Sequence, residues 1–127
     1  MNSADINFSG WQKWGAETGV PDCFVYAFRT PLVFGRVKGE SDLVYIGSGT
    51  GRRLESHLSK RPKSDRLNRI AQEYGGLEVS WKQFATKADA IELESKLLDK
   101  YQHEHLELPP VNRNVPKKDT YERAARK

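Results

Sequence analysis

The sequence is poor in the features that mark secreted, membrane-spanning and disordered chains. Cys23 is the only cysteine among 127 residues, which excludes a disulfide framework and favours a reducing compartment. No apolar run is long enough to cross a bilayer, and the first residues lack the basic and apolar regions of a signal peptide. The aromatic content of 10% argues against disorder. We therefore expect a folded, cytoplasmic protein with no membrane partner.

The chain also lacks a Pro/Gly/Ser-rich linker, an internal repeat and a low-complexity tract. Its length suits one domain with one hydrophobic core. We take residues 1–127 as a single domain with its motifs at about 23–114. Residues 1–20 are an irregular or short helical lead-in, and residues 115–127 form a basic tail.

Positive charge is concentrated in two segments on either side of an acidic one. Residues 50–69 hold seven basic and two acidic side chains, and residues 113–127 hold six and two, in a chain of net charge +4. A single basic run is usually a solvated face, but two such segments indicate a polyanionic partner. The basic residues that we expect to contact this partner are Arg52, Lys60, Arg61, Lys63, Arg66, Arg69 and Arg113.

Alternating apolar residues predict strands at residues 23–28, 43–47 and 77–85. Residues 29–42 contain several turn-forming residues beside apolar ones, so we expect a long loop or an irregular ribbon there. Two consecutive strands with no helix between them favour antiparallel pairing. The predicted fold class is therefore α+β, with a small three-stranded antiparallel sheet flanked by helices.

Three helices are predicted after the second strand. The first carries Arg53 and His57 and breaks near Pro62, and the second covers residues 65–74. The longest begins at Thr86 and continues to about His103. His103 and His105 lie close in sequence but lack a third ligand nearby, so a zinc site there is disfavoured.

One acidic residue lies on the apolar side of the longest helix. At 100° per residue, Glu94 falls between Ala90, Leu97, Leu98 and Tyr101. Burying an unpaired carboxylate costs several kcal/mol, so Glu94 must be paired, protonated or bound to a metal. A structural ion pair with a nearby arginine and a functional site are both open on this pattern.

Glycine is concentrated where the second strand meets the first predicted helix, in "GSGTG" at residues 47–51. Amides at a helix N-terminus bind anions, so this turn is a candidate phosphate cradle to which Gly47 contributes. It lacks the lysine of a P-loop and the later acidic residue of a dinucleotide fold. Arg53 and His57 share one helix face, and a guanidinium suits phosphate oxygens.

Five segments in this order resemble the GIY-YIG nuclease family. They cover most of the chain, and together they are more specific than any one of them. The segments are "FVY" at residues 24–26, "YIG" at 45–47, "RLESH" at 53–57, "AIELESKLLDKY" at 90–101 and "PPVN" at 109–112.

The resemblance implies the family's three-stranded sheet and a DNA endonuclease with one divalent metal, Mg²⁺ or Mn²⁺. By the same resemblance Tyr26 and Tyr45 are the motif tyrosines, Arg53 binds phosphate and His57 follows one turn later. Glu94 matches the metal-binding carboxylate, and Asn112 matches a late asparagine that supports the site. Tyr26 is our choice for the general base, which requires a lowered pKa because a free phenol has a pKa of about 10.

The sequence departs from the family pattern at three places. Phe24 replaces the first motif glycine, the interval from Tyr26 to Tyr45 is longer than in the shortest members, and the loop before Arg53 is shorter. The Arg-x-x-x-His spacing favours Arg53 as the catalytic arginine, with Arg52 as the alternative.

Three other functions are left open: a nucleic-acid-binding module without catalysis, a structural or interaction protein in which Glu94 only pairs with Arg53, and an RNase. The expected substrate is DNA, double-stranded in preference to single-stranded. Target choice then depends on the basic segments, on residues 29–42, on self-association as a homodimer or on a partner protein.

Overall fold

The computed structural model of the chain describes residues 1–6, 8–14, 23–50 and 63–113. Within these residues the backbone forms four strands and two α-helices, after a short 3-10 turn at Ser3–Asp5. The strands are β1 (Ser9–Lys13), β2 (Cys23–Gly35), β3 (Glu40–Thr50) and β4 (Glu78–Gln83), and the helices are α1 (Lys63–Tyr74) and α2 (Lys87–His105).

The described strands form one antiparallel sheet in the order β1-β4-β2-β3. The predicted α+β class is confirmed, but the predicted three-stranded sheet is wrong, because β1 adds a fourth strand from the lead-in. Ser9 lies opposite Trp81 and Gln12 opposite Val79, so β1 contains a bulge, and Gly10 beside it has a φ of 45°. The bulge interrupts the alternation by which a strand is recognised in a sequence.

β2 and β3 are longer than predicted and form a ribbon through the segment expected to be a loop or an irregular ribbon. The ribbon closes at residues 36–39, where the Arg36 N–H donates to the Gly39 carbonyl at 2.9 Å and Gly39 has a φ of 75°. Residues 30–33 bulge out opposite Asp42, because the register shifts there. This bulge makes the ribbon irregular.

The glycines predicted to form a turn lie in β3 instead, as far as Thr50. Gly47 is paired with Tyr26 and Gly49 with Phe24 across the two strands. A Cβ at Gly47 would lie 2.6 Å from Tyr26 Oη, and one at Gly49 would lie 2.7 Å from Phe24 Cζ. These glycines therefore make room for aromatic side chains of β2. Gly51 and the helix predicted after it lie outside the described residues.

Both helices have the ends that their sequences predict, within two residues. α1 stops before Gly75 and Gly76, whose φ angles are 83° and 128°. α2 is capped by Thr86, whose side chain accepts a hydrogen bond from the Asp89 amide at 3.1 Å. Leu106 ends α2 in the left-handed conformation, with a φ of 61°.

The sheet lies between the two helices and has a hydrophobic core on each face. On the α1 face, Val44 and Tyr45 are adjacent in sequence yet join the same core, because β3 has a bulge where its pairing with β2 shifts by one residue. The buried core of the α1 face contains Phe24, Tyr26, Phe28, Val44, Tyr45, Leu67, Leu77, Val79, Trp81 and Val111, and that of the α2 face includes Val25, Ala27, Leu43, Ile46, Ala90, Leu98 and Tyr101.

No helix among the described residues has the length and apolar character needed to cross a membrane.

Candidate active site

The two motif tyrosines meet on the α1 face of the sheet. Their ring centroids are 5.6 Å apart with an interplanar angle of 36°. Gly47 lies beneath both, since a Cβ there would be 2.6 Å from Tyr26 Oη and 2.8 Å from Tyr45 Cε2. Tyr26 is 0% exposed and Tyr45 is 8% exposed. The absence of a side chain at residue 47 thus allows the two phenols to converge.

The environment of Tyr26 favours its neutral form. Burial raises the pKa of this phenol well above 10, and the neighbouring Tyr45 hydroxyl and the negative charge of Glu94 act in the same direction. A general base must lose its proton to act near neutral pH, so this shift disfavours Tyr26 in the role that we assigned to it from the sequence. A neutral phenol can still donate one hydrogen bond and accept another.

Glu94 lies on α2, between the buried residues Ala90, Leu98 and Tyr101 of that helix. It is half-buried and interacts with other groups, so it is neither isolated nor fully removed from water. Its charge contributes to the raised pKa of Tyr26 from the other side of the sheet, because α2 packs on the face opposite the tyrosine pair. The helix wheel placed Glu94 within the apolar side, and in the structure the residue lies among the buried residues of α2 while keeping part of its surface exposed.

Asn112 binds the backbone of the strand that carries Tyr45 and Gly47. Its Oδ1 accepts from the Ile46 N–H at 2.9 Å, and its Nδ2 donates to the Ile46 carbonyl at 2.8 Å. The neighbouring Val111 N–H donates to the Val44 carbonyl at 3.0 Å. Residues 111–112 therefore occupy the outer edge of β3, where they satisfy backbone groups that an edge strand would leave to water. This position agrees with a supporting role for Asn112.

Two buried aromatic residues beside Tyr26 were not singled out as site residues. Phe24, at the position of the family's glycine, packs its ring 5.5 Å from the Tyr26 ring and covers Gly49. Trp81 of β4 lies opposite Tyr26 in the strand register. The alternation of apolar residues along each strand predicted which side chains share a face of that strand. Only the pairing of the strands shows that Phe24 and Trp81 are both neighbours of Tyr26.

The basic residues predicted to bind phosphate are only partly described. Arg66 and Arg69 lie on α1, whose Leu67 is buried against the sheet, and Arg69 is exposed. Arg113 is exposed immediately after Asn112. Lys63 begins α1, but its side chain is outside the description. The remaining predicted residues, Arg52, Arg53, His57, Lys60 and Arg61, lie outside the described residues.

A metal ion at this site would have Glu94 as its protein carboxylate. Within residues 1–6, 8–14, 23–50 and 63–113, no three His, Cys, Asp or Glu side chains come together as ligands. A lone carboxylate fits Mg²⁺, which keeps several waters and is usually bound by one or two carboxylates. It does not fit zinc, which takes three or four protein ligands.

Both ring nitrogens of His105 lie within hydrogen-bond distance of other groups of the chain. Its Nδ1 lies 2.8 Å from the Lys38 carbonyl oxygen, and its Nε2 lies 2.9 Å from the Met1 carbonyl oxygen and 2.6 Å from the Met1 amino group. Its ring also packs 4.5 Å from the Tyr101 ring. His105 therefore joins the end of α2 to the β2–β3 ribbon.

Comparison with models of protein families, with curated proteins and with solved structures found no match to this chain.

Proposed function

We propose that this protein is a metal-dependent endonuclease that hydrolyses DNA phosphodiester bonds at a GIY-YIG-type site. One observation carries the proposal: Tyr26 and Tyr45, picked out from separate segments of the sequence, meet in the fold, and the charge of Glu94 acts on Tyr26. The tyrosines are in ring contact, and the carboxylate is near enough to raise the pKa of Tyr26. The site lies next to the end of β3, after which the basic segment begins.

Glu94 is the proposed ligand of Mg²⁺ or Mn²⁺. When bound, the metal supplies Lewis-acid stabilisation of the phosphate and of the leaving oxygen. Glu94 is half-buried, and in this proposal the exposed part of the residue faces the solvent and the substrate.

The two tyrosines have different roles in this proposal. Tyr26 is fully buried and neutral, so it orients Tyr45 and does not remove a proton. Tyr45 is the more exposed phenol and is the one that contacts the attacking water. Asn112 holds the strand between Tyr45 and Gly47 in place through the Ile46 backbone.

The family resemblance supplies the remaining roles. Arg53, with Arg52 as the alternative, neutralises charge that develops on the non-bridging phosphate oxygens, and His57, which the sequence predicts to share a helix face with Arg53, assists. The basic residues of α1 attract the DNA backbone. A cytoplasmic location, and self-association or a partner protein that selects the target, complete the proposal.

The test is cleavage of supercoiled plasmid, single-stranded DNA and RNA by the purified protein with Mg²⁺, with Mn²⁺ or with EDTA. We expect metal-dependent cutting of DNA that falls at least about 100-fold in Glu94→Gln, because the metal loses its carboxylate. The matched control is Glu92→Gln, which changes the same charge on the same helix but removes only an exposed pair with Lys96. It should cut like the wild type.

Each alternative predicts a different result in the same assay. A folded protein that shifts DNA on a gel but cuts nothing is a binding module. Cutting of RNA alone identifies an RNase. If Glu94→Gln cuts normally but unfolds at a lower temperature, Glu94 is a structural residue and the proposed metal site is wrong.

A further inference from the structure

A cavity of about 280 Å³ opens on the same sheet face as the tyrosine pair. It lies between α1, the end of the β2–β3 ribbon and the turn at Pro110. The residues that matter for its chemistry are Phe34, Arg36, Val44, Ile70, Glu73 and Tyr74. Phe34, Val44 and Ile70 belong to, or pack against, the same core as Tyr26 and Tyr45. The cavity is therefore an extension of the candidate active-site face.

The walls of this cavity suit a flat, aromatic group. The rings of Phe34 and Tyr74 are inclined at 53° with their centroids 6.0 Å apart, so they form two adjoining walls of the cavity. Tyr74 is the half-exposed wall. Val44 and Ile70 contribute apolar surface. A planar ring can stack on one aromatic wall while its edge faces the other.

Two charged side chains give the cavity a polar edge. The Arg36 guanidinium is held by Glu107 at 2.8 Å and by the Leu108 carbonyl at 2.6 Å, and it lies 5.6 Å from the Phe34 ring centre. Its Nε is buried and has no hydrogen-bond partner among the described residues. Glu73, on the last turn of α1, contributes an exposed carboxylate. An edge of this kind can recognise the hydrogen-bonding groups of a ligand.

We propose that this cavity receives one nucleobase of the bound strand, turned out of the stack. This inference rests on the proposed function for the placement of the strand. Val44 precedes Tyr45 directly and is three residues from Gly47, about 10 Å along an extended strand. A base within one or two nucleotides of the reacting phosphate reaches that distance. Stacking of bases on aromatic side chains is a general mode of single-strand recognition.

The polar edge predicts which bases the cavity accepts. An ionised carboxylate only accepts hydrogen bonds, so Glu73 favours bases with an exocyclic amino group, and cytosine N4 is a common partner of Glu in nucleic-acid recognition. Cytosine is therefore preferred to uracil, which has a carbonyl oxygen at that position. Turning a base out is least costly when it is unpaired or mismatched, so the preferred substrate has such a base beside the cut.

The test is an NMR titration of the full chain with dCMP, with dUMP and with inorganic phosphate, without metal. We expect dCMP to shift amide signals around Phe34, Ile70 and Tyr74, and dUMP to bind more weakly. Tyr74→Leu should weaken dCMP binding at least about fivefold, because a stacking surface is lost. Glu73→Gln should make dCMP and dUMP bind alike. Gln72→Ala, an exposed neighbour on α1, is the control and should bind like the wild type.

The outcomes separate this inference from the nuclease proposal, because the titration requires no cleavage. If the protein cuts DNA but dCMP leaves the cavity signals unchanged, or inorganic phosphate shifts them equally, base binding in the cavity is refuted and the nuclease stands. If dCMP binds there and the protein cuts nothing, base recognition is supported and the nuclease proposal fails. Well-dispersed spectra of all three variants establish that they are folded.

Discussion

Tyr26 illustrates how a single residue of the site is governed by its surroundings. Its phenol is fully buried among aromatic rings, with Phe24 at 5.5 Å, Phe28 at 5.9 Å and Tyr45 at 5.6 Å between ring centroids. Removal from water disfavours the charged phenolate, and the nearby Glu94 charge adds to this effect. The buried phenol is therefore neutral across the physiological range, and its ionisation is linked to the stability of the fold.

The raised pKa of Tyr26 predicts a loss of stability at alkaline pH. The unfolded phenol ionises with a pKa of about 10, whereas the folded one keeps its proton to higher pH. The stabilisation that the protonated Tyr26 contributes is therefore fully present below about pH 10. It is lost as the pH rises towards the pKa of the folded state, by up to about 1.4 kcal/mol per pH unit. The free energy of unfolding of Tyr26→Phe should therefore fall less steeply with rising pH, by this amount. Urea unfolding at several pH values between 8 and 11 measures it.

Tyr74→Phe is the control for this experiment, because Tyr74 is only half-buried. It should follow the wild-type curve. Tyr101, whose pKa burial also raises, remains in all three proteins and leaves part of the alkaline loss in each. Parallel curves for the wild type and Tyr26→Phe would show that folding does not raise the pKa of Tyr26, which would contradict this prediction.

At the scale of the elements, β3 is an edge strand completed by two residues from the end of the described chain. Asn112 makes two hydrogen bonds to Ile46, and Val111 makes one to Val44. The side-chain amide of Asn112 thus acts as a short piece of a fifth strand. Because Ile46 lies between Tyr45 and Gly47, this contact fixes the part of β3 that forms the candidate site.

Asn112→Leu should make the backbone of β3 more mobile while leaving both tyrosine side chains unchanged. The Ile46 N–H and carbonyl would lose their partner, at a cost of about 1–3 kcal/mol in the free energy of unfolding. Hydrogen exchange of the Ile46 amide should become faster by more than global unfolding explains. Arg113→Gln, the exposed neighbour, should change neither quantity. An Ile46 amide as protected in Asn112→Leu as in the wild type would contradict the edge-strand role.

At the scale of the whole molecule, the two helices present different charge to solvent. α1 carries three basic and two acidic residues and includes Arg66 and Arg69 of the basic segment, whereas α2 carries three lysines and five acidic residues. α2 has acidic and basic residues mixed on its outer side, where Lys96 pairs with Glu92 at 3.2 Å. The α1 face, which also contains the tyrosine pair and the cavity, is therefore the face that we propose for nucleic acid.

Replacing charge on α1 should lower the salt dependence of DNA binding. Each lysine or arginine that neutralises a phosphate adds about 0.9 to the slope of log K against log salt concentration, so Arg66→Gln with Arg69→Gln should reduce the slope by about 1.8. Lys96→Gln with Lys100→Gln removes the same charge from α2 and should leave the slope within about 0.5 of the wild type. Fluorescence anisotropy at several salt concentrations measures the slope for each double variant. Equal reductions of the slope in the two double variants would contradict DNA binding at the α1 face.

Features that depend on near neighbours in the chain were predictable from the sequence. The Thr86 cap with its Asp89 amide, the stop of α1 at Gly75 and the position of the acidic Glu94 among apolar helix residues each follow from spacings of one to seven residues. The alternating strands and the α+β class followed from the same kind of pattern. The site residues that the resemblance named remain predictions. The structure does place the ring of Tyr26 beside that of Tyr45, and it binds the side chain of Asn112 to the backbone of Ile46, between Tyr45 and Gly47.

Features that depend on which segments meet were decided only by the tertiary structure. β1 joins the sheet because β4 offers it a partner, and its bulge at Gly10 hid that strand from the sequence pattern. Gly47 gives space to Tyr26, which lies 21 positions earlier in the sequence, because strand register brings the two together. Burial of Tyr26, and with it the neutral form of the phenol, arises from contacts across the sheet. Local periodicity cannot specify such contacts, because they depend on strand order, on bulges and on packing between distant segments.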